Sequence, residues 1–161
     1  MPDIGELLGP LQTLFNELTR GVPGDAGFIL NPKDAGLHAS LDRLTAQQAS
    51  AQPSGGGASI AAHVDHLRYG LELLNRWQRG EEPFESADWG ASWQRTKVTD
   101  EEWATRRAEL RQEVETARQA MMSPRDTTPI AITGIVASMA HLAYHLGAIR
   151  QIDRTSAGPL A

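Results

Sequence analysis

An all-α four-helix bundle is the fold that three features of the sequence predict. Four long segments carry apolar residues at helical spacing, no segment alternates as a strand, and the stretches between them are rich in Gly and Pro. A chain of 161 residues has the length of one domain, so residues 1–161 are expected to form a single unit. A short extra helix and a long loop between the second and third long helices complete the expected architecture.

The first long segment places Ile4, Leu7, Leu8, Leu11, Leu14, Phe15 and Leu18 at helical spacing, with Asp3 as cap and Gly21 as terminator. Pro10 is expected to kink this helix or to move its start to that residue. After the Gly- and Pro-rich stretch GVPGDAGFILNPKDAG, LHASLDRLTAQQAS reads as one short helix near residues 36–48, with Leu37, Leu41 and Leu44 on one side. SGGGAS then breaks the chain. The second long helix, SIAAHVDHLRYGLELLNRWQRG, is capped by Ser59 and carries Ile60, Val64, Leu67, Leu71 and Leu74 at a 4-3-4-3 spacing, the seam of a bundle helix. EEPFESADWGASWQRTKV follows without a clear period. The third helix starts at a capping box, Thr99 and Glu102, and aligns Trp103, Leu110, Val114, Ala117 and Met121 on one stripe. The fourth begins at Pro129, a residue suited to the first helical position, and runs through IAITGIVASMAHLAYHLGAIRQI.

Composition narrows the function classes. Hydrophobic residues make up 40% and charged residues 22%, ordinary values for a globular protein. No run of eighteen apolar residues occurs, so no membrane span is expected. The N-terminus lacks the basic and apolar regions of a secretory signal, and a cytoplasmic location is the expectation. The absence of cysteine excludes disulfides, thiolate metal ligands and a cysteine nucleophile. With a net charge of −5, and with Arg106, Arg107, Arg111 and Arg118 interleaved with acidic residues, the third helix reads as a solvated face with i,i+4 pairs rather than a nucleic-acid stripe.

Chemistry concentrates in the histidines. His63 and His66 lie on the second long helix and His141 and His145 on the fourth, while His38 stands apart. Residues i and i+4 are about 40° apart around a helix and about 6 Å apart along it, so the rings of His141 and His145 can converge on one ion. A third imidazole from a facing helix leaves positions open for water or substrate, the arrangement of catalytic zinc sites, although imidazole equally suits nickel, copper and iron(II). A lone HxxxH is more often a pair of buried, hydrogen-bonded residues. Here Gly134, Ala137, Ser138 and Gly147 thin the helix around the pair and leave room for a neighbour or a ligand. No Glu stands between the two histidines, which excludes the HExxH protease mechanism. On the second helix the apolar seam places His63 nearer its centre and His66 nearer its edge, so periodicity favours His63.

HLAYHLGAIRQ resembles the C-terminal HxxxHxG signature of the DinB/YfiT-like superfamily of metal-binding four-helix bundles, and SIAAHVDHLRYGLELLNRW resembles that superfamily's upstream helix. WGASW and the overall length also fit, so the resemblance extends over residues 28 to 152. It implies His66, His141 and His145 as metal ligands, choosing His66 where periodicity chose His63. His63 then becomes a group behind the ligands or in the pocket. Trp77, Trp89, Trp93 and Trp103 read as core or loop-packing residues, with a wall of Trp89 and Trp93 over the metal as the alternative. Two departures are Ala148, where many members have Gln, and the additional His63 itself. The family further implies a divalent transition metal, zinc or nickel foremost, and metal-dependent hydrolysis or thiol-dependent transfer on a small molecule. A low-molecular-weight thiol and a homodimer are the implied partners. With no protein base in view, bound water or thiolate is the expected nucleophile. The alternative is a non-catalytic stress or ligand-binding bundle whose metal is structural or absent.

Four lesser candidates complete the reading. Glu85 and Asp88 offer a fourth ligand or a base. Tyr144 is expected to face a neighbouring helix, and Arg150 to hold an anionic substrate or to favour the helix C-terminus.

Overall fold

In the computed structural model, which describes residues 4–156 and 158, every described element is helical. Helix α1 spans Ile4–Arg20. It runs through Pro10 without shortening, so the Glu6 carbonyl one turn earlier goes without its usual backbone donor. The expected Asp3 cap lies outside the described residues. Gly21 ends the helix at φ +90°, and a Cβ there would fall 2.1 Å from the Asp34 carbonyl oxygen, so only glycine fits.

The single short helix expected near residues 36–48 is two: α2 over Gly36–Asp42 and α3 over Ala46–Ser50. Thr45 divides them. Its hydroxyl accepts from the Gln48 backbone N–H while the Gln48 side chain accepts from the Thr45 N–H, a capping box within the apolar pattern that periodicity had joined.

Helix α4, Ile60–Gln78, begins at Ser59, whose hydroxyl accepts from the Ala62 N–H and donates to the Thr96 carbonyl at 2.7 Å. Helix α5, Asp100–Met122, opens on the Thr99/Glu102 capping box, and α6, Pro129–Ile152, starts with its proline at the first turn behind a Thr128 cap. The stretch between α4 and α5 contains two 3-10 turns, Pro83–Ser86 and Ala91–Trp93.

The long helices pack as a ring: α4 lies on α5 and α6, and α1 lies on the same two, so α1 and α4 stand diagonally opposed. Their inward stripes meet in one core. It includes Phe15 and Leu18 of α1, Ile60, Val64 and Leu67 of α4, Leu110 and Val114 of α5, and Ile135, Leu142 and Ile149 of α6. Buried polar groups tie the ring together. Trp103 donates its indole N–H to the Leu44 carbonyl at 2.8 Å, and Asn75 donates to the Glu113 carbonyl at 2.9 Å.

The arginines of α5 pair at i,i+3 (Arg106 to Glu109, Arg118 to Glu115), and Arg107 and Arg111 reach across to Asp42. The expected i,i+4 pairs are thus displaced by acidic partners one residue closer or on another helix. Helix α6 is, by length and composition, the one described helix apolar enough to cross a bilayer. Here its inner face packs on α4 and α1.

Candidate metal centre

Four histidines from two helices meet at one end of the interface between α4 and α6. On α6, His141 and His145 are one turn apart, and their Nε2 atoms lie 2.8 Å from each other. From α4, His66 brings its Nε2 to 3.1 Å from that of His141. All three ligand atoms lie within 4.8 Å of one another. Three nitrogens held tetrahedrally at zinc–nitrogen distance would be about 3.3 Å apart. The observed spacing therefore suits one small cation.

The outer ring nitrogens show which lone pairs face inward. His66 Nδ1 is 2.7 Å from Ser92 Oγ, and Ser92 Oγ donates its only proton to the Trp89 carbonyl at 2.7 Å. The hydroxyl can then only accept, so His66 carries its proton on Nδ1 and presents an unprotonated Nε2 to the site. His145 Nδ1 lies 2.8 Å from His63 Nδ1. A proton on His145 Nδ1, donated to His63, likewise leaves His145 Nε2 as a lone pair. With lone pairs on His66 and His145 Nε2 both facing His141 Nε2, a cation or a proton between the rings would hold them together. The donor set fits a divalent transition metal.

Electrostatics favour the same protonation. Burial pushes the His66 imidazole down to about 4, helped by His141 and His63, and pushes His145 to about 3, helped by His141, His63 and His66. Burial also lowers His63 and His141. All four rings are neutral near pH 7, the state in which an imidazole can bind a metal.

Two tryptophans stand against the cluster. Trp93 stacks on His66 with centroids 4.1 Å apart and planes 22° apart, and its edge meets His63 at 5.2 Å. Trp89 tilts over His66 at 5.6 Å and closes one side of a cavity of about 410 Å³ that opens on His66 and His141. His63 sits behind the three converging nitrogens, against His145. The 3-10 turn Ala91–Trp93 delivers both Ser92 and Trp93, which explains why so aperiodic a stretch matters.

Other candidates fall elsewhere. Asp88 is exposed, and its carboxylate accepts from the Ala91 N–H at 2.9 Å, bracing the loop. Glu85 is exposed on its own turn, and neither acid joins the cluster. Arg150 is 14% exposed in its side chain and holds Asp34 through two bonds of 2.7 and 2.9 Å, with Ser40 at 3.0 Å, so it anchors α6 to the start of α2 rather than a substrate. Tyr144 is 68% exposed, and only its edge contact with His145 relates it to the site. Its position on the outer face of α6 puts no neighbouring helix in front of it. Ser92 escaped sequence reasoning. Its one signal is its place between two tryptophans in WGASW.

An all-helical ring with three converging imidazoles, two of them lining a cavity, defines a helical protein positioned to hold a metal ion. The chain belongs to the DinB superfamily, whose family model matches residues 34–149. No curated protein and no solved structure matches it.

Proposed function

We propose that the protein binds a divalent transition metal, zinc or nickel foremost, through Nε2 of His66, His141 and His145. In this reading it uses the ion for hydrolysis or thiol-dependent transfer on a small molecule. The observation that carries the proposal is the convergence of three ring nitrogens beside a cavity that His66 and His141 line, with the outer nitrogens of two of the rings already engaged. Bound there, such an ion supplies Lewis acidity, polarising a substrate atom and favouring the deprotonated form of a water or thiol. Ser92 and His63 hold two rings in the required orientation, and Trp93 covers one face of His66 against water. Since the chain has no cysteine, any thiol would come with the substrate or a cosubstrate.

A structural metal is the competing reading. Structural sites are usually closed by a fourth protein ligand. Among the described residues the converging ligand atoms come from three histidines, and the fourth, His63, faces His145 Nδ1 instead, which favours the reactive reading. A homodimer completes the proposal on the strength of the family resemblance, and sedimentation tests it.

Elemental analysis of untagged protein and of His145→Ala tests the metal. The parent is expected to hold up to one equivalent of a transition metal and the variant to lose most of it. Equal, negligible metal in both would leave a buried histidine cluster and no metal chemistry.

A further inference from the structure

The space beside the histidines continues away from them between α4 and α6. Its first compartment, about 410 Å³, is walled by Leu67, Gly70 and Leu71 of α4 and by Ala137 and Ser138 of α6. A second, about 340 Å³, lies between Leu74 and Trp77 on one side and Ile130 and Gly134 on the other. Phe84, Ala137 and Ser138 line both, so the two adjoin beneath the 3-10 turn Pro83–Ser86. From residue 66 to 77 on α4, or 141 to 130 on α6, the walls run about 16 Å at the rise of an α-helix.

The chemistry of this groove is one-sided. No Asp, Glu, Lys or Arg lines either compartment. Its two hydroxyls are engaged by their own helix: Ser138 donates to the Gly134 carbonyl at 2.9 Å and Thr133 to the Pro129 carbonyl at 2.7 Å. Apart from the indole N–H of Trp77, the polar groups left to meet a ligand thus gather at the His66 and His141 end. Gly70 helps to keep that end open. A Cβ there would make ordinary contacts of 3.5 Å with His141 and Trp89, so the backbone does not require glycine, and a longer side chain would enter the compartment.

A charged group buried along such walls would have no partner, whereas a hydrocarbon there leaves water favourably. Each compartment has the size of a small-molecule site, and neither admits a helix, which with its side chains is about 10 Å across.

We propose that the groove between α4 and α6 binds the apolar tail of a small amphiphile whose polar, reactive end lies at His66 and His141. The inference rests on the metal-dependent reading only for which end reacts. The apolar path stands without it.

The test uses the full-length protein, metal-free and zinc-loaded, titrated with the uncharged fluorophore N-phenyl-1-naphthylamine, with 1-decanol and 1-propanol as competitors. Both protein forms are expected to bind the probe, and decanol but not propanol to displace it. Ala137→Leu, at an exposed position that lines both compartments, should weaken the probe by about ten-fold with zinc content unchanged. Ile130→Glu, at a residue 75% exposed and so without a folding cost, should weaken decanol as well. No probe binding, or equal binding by parent and both variants, overturns the proposal. So would sedimentation showing a dimer that excludes the probe and is split by either substitution, which would assign the groove to a second copy. A protein that binds the probe but no metal would sink the metal-dependent reading and leave this one. Metal without probe binding would do the reverse.

Discussion

His145 is the most constrained side chain of the centre. It is buried, its Nε2 faces His141 at 2.8 Å, and its Nδ1 faces His63 at the same distance. A ligand imidazole whose far nitrogen is held enters a metal site already oriented, and removal of such a partner typically costs 10- to 100-fold in metal affinity, roughly. His63→Ala and Ser92→Ala are each expected to weaken zinc by about ten-fold, read by competition with a chromogenic chelator, while far-UV circular dichroism stays at the parent level. Unchanged affinity in both would mean that the rings are oriented by packing alone. The same logic explains why His63 and His66 divided the sequence signals. His63 lies nearer the core seam and supports a ligand, whereas His66 lies at the seam's edge, where a side chain can reach the cavity.

Among the elements, the connection between α1 and α2 shows how an irregular stretch is held. Glu17 of α1 is buried, and its carboxylate accepts the backbone N–H groups of Phe28 at 3.0 Å and of Ile29 and Leu30 at 2.6 Å each. Burial opposes its charge, but those three donors prevail and hold its pKa below the usual value. Glu17→Gln keeps the shape, replaces one acceptor oxygen by a donor and leaves a backbone N–H facing it. It should cost about 1–3 kcal/mol in urea unfolding. A loss below a few tenths would show that the loop does not depend on the carboxylate. The fourth long helix teaches a different lesson. Its residues 135, 139, 142, 146 and 149 form the inward stripe, and the two site histidines flank that stripe rather than interrupt it. The bundle therefore carries a polar cluster without opening its core.

For the whole molecule, the histidines make stability depend on pH. Burial, with Arg111 assisting, pushes His38 to about 4, and the site rings are lowered too. An imidazole depressed by folding binds its proton more readily in the unfolded chain, so stability is complete above the unfolded value near 6.5 and falls as pH drops toward the folded one. The metal-free protein is expected to lose urea stability between pH 6.5 and 4, on the order of 2 kcal/mol for His38 alone, and His38→Gln should flatten that slope. A pH-independent midpoint across that window would refute it. Depressed carboxylates such as Glu115, at about 2, begin to cost stability only near their unfolded value of about 4.5, so the slope between pH 6.5 and 5 reports the imidazoles. Much of this molecule was legible in the chain. Helical spacing located the four long helices and their inward stripes, because a 3.6-residue period needs only local information. Resemblance of two histidine motifs selected His66, His141 and His145, whose ligand atoms lie within 4.8 Å of one another. Other features were not legible, since they depend on distant groups. Arg150 read as a possible anion site until Asp34, far away in the chain, met it. Ser92 carried no signal until the 3-10 turn folded back against α4. By itself, then, the sequence determined the helices, the family and the pool of imidazoles, all consequences of short-range periodicity and residue type. Tertiary structure alone decided which nitrogen of each ring faces the centre and what lies beside it, since both follow from hydrogen bonds and packing between segments that only the folded ring brings into contact.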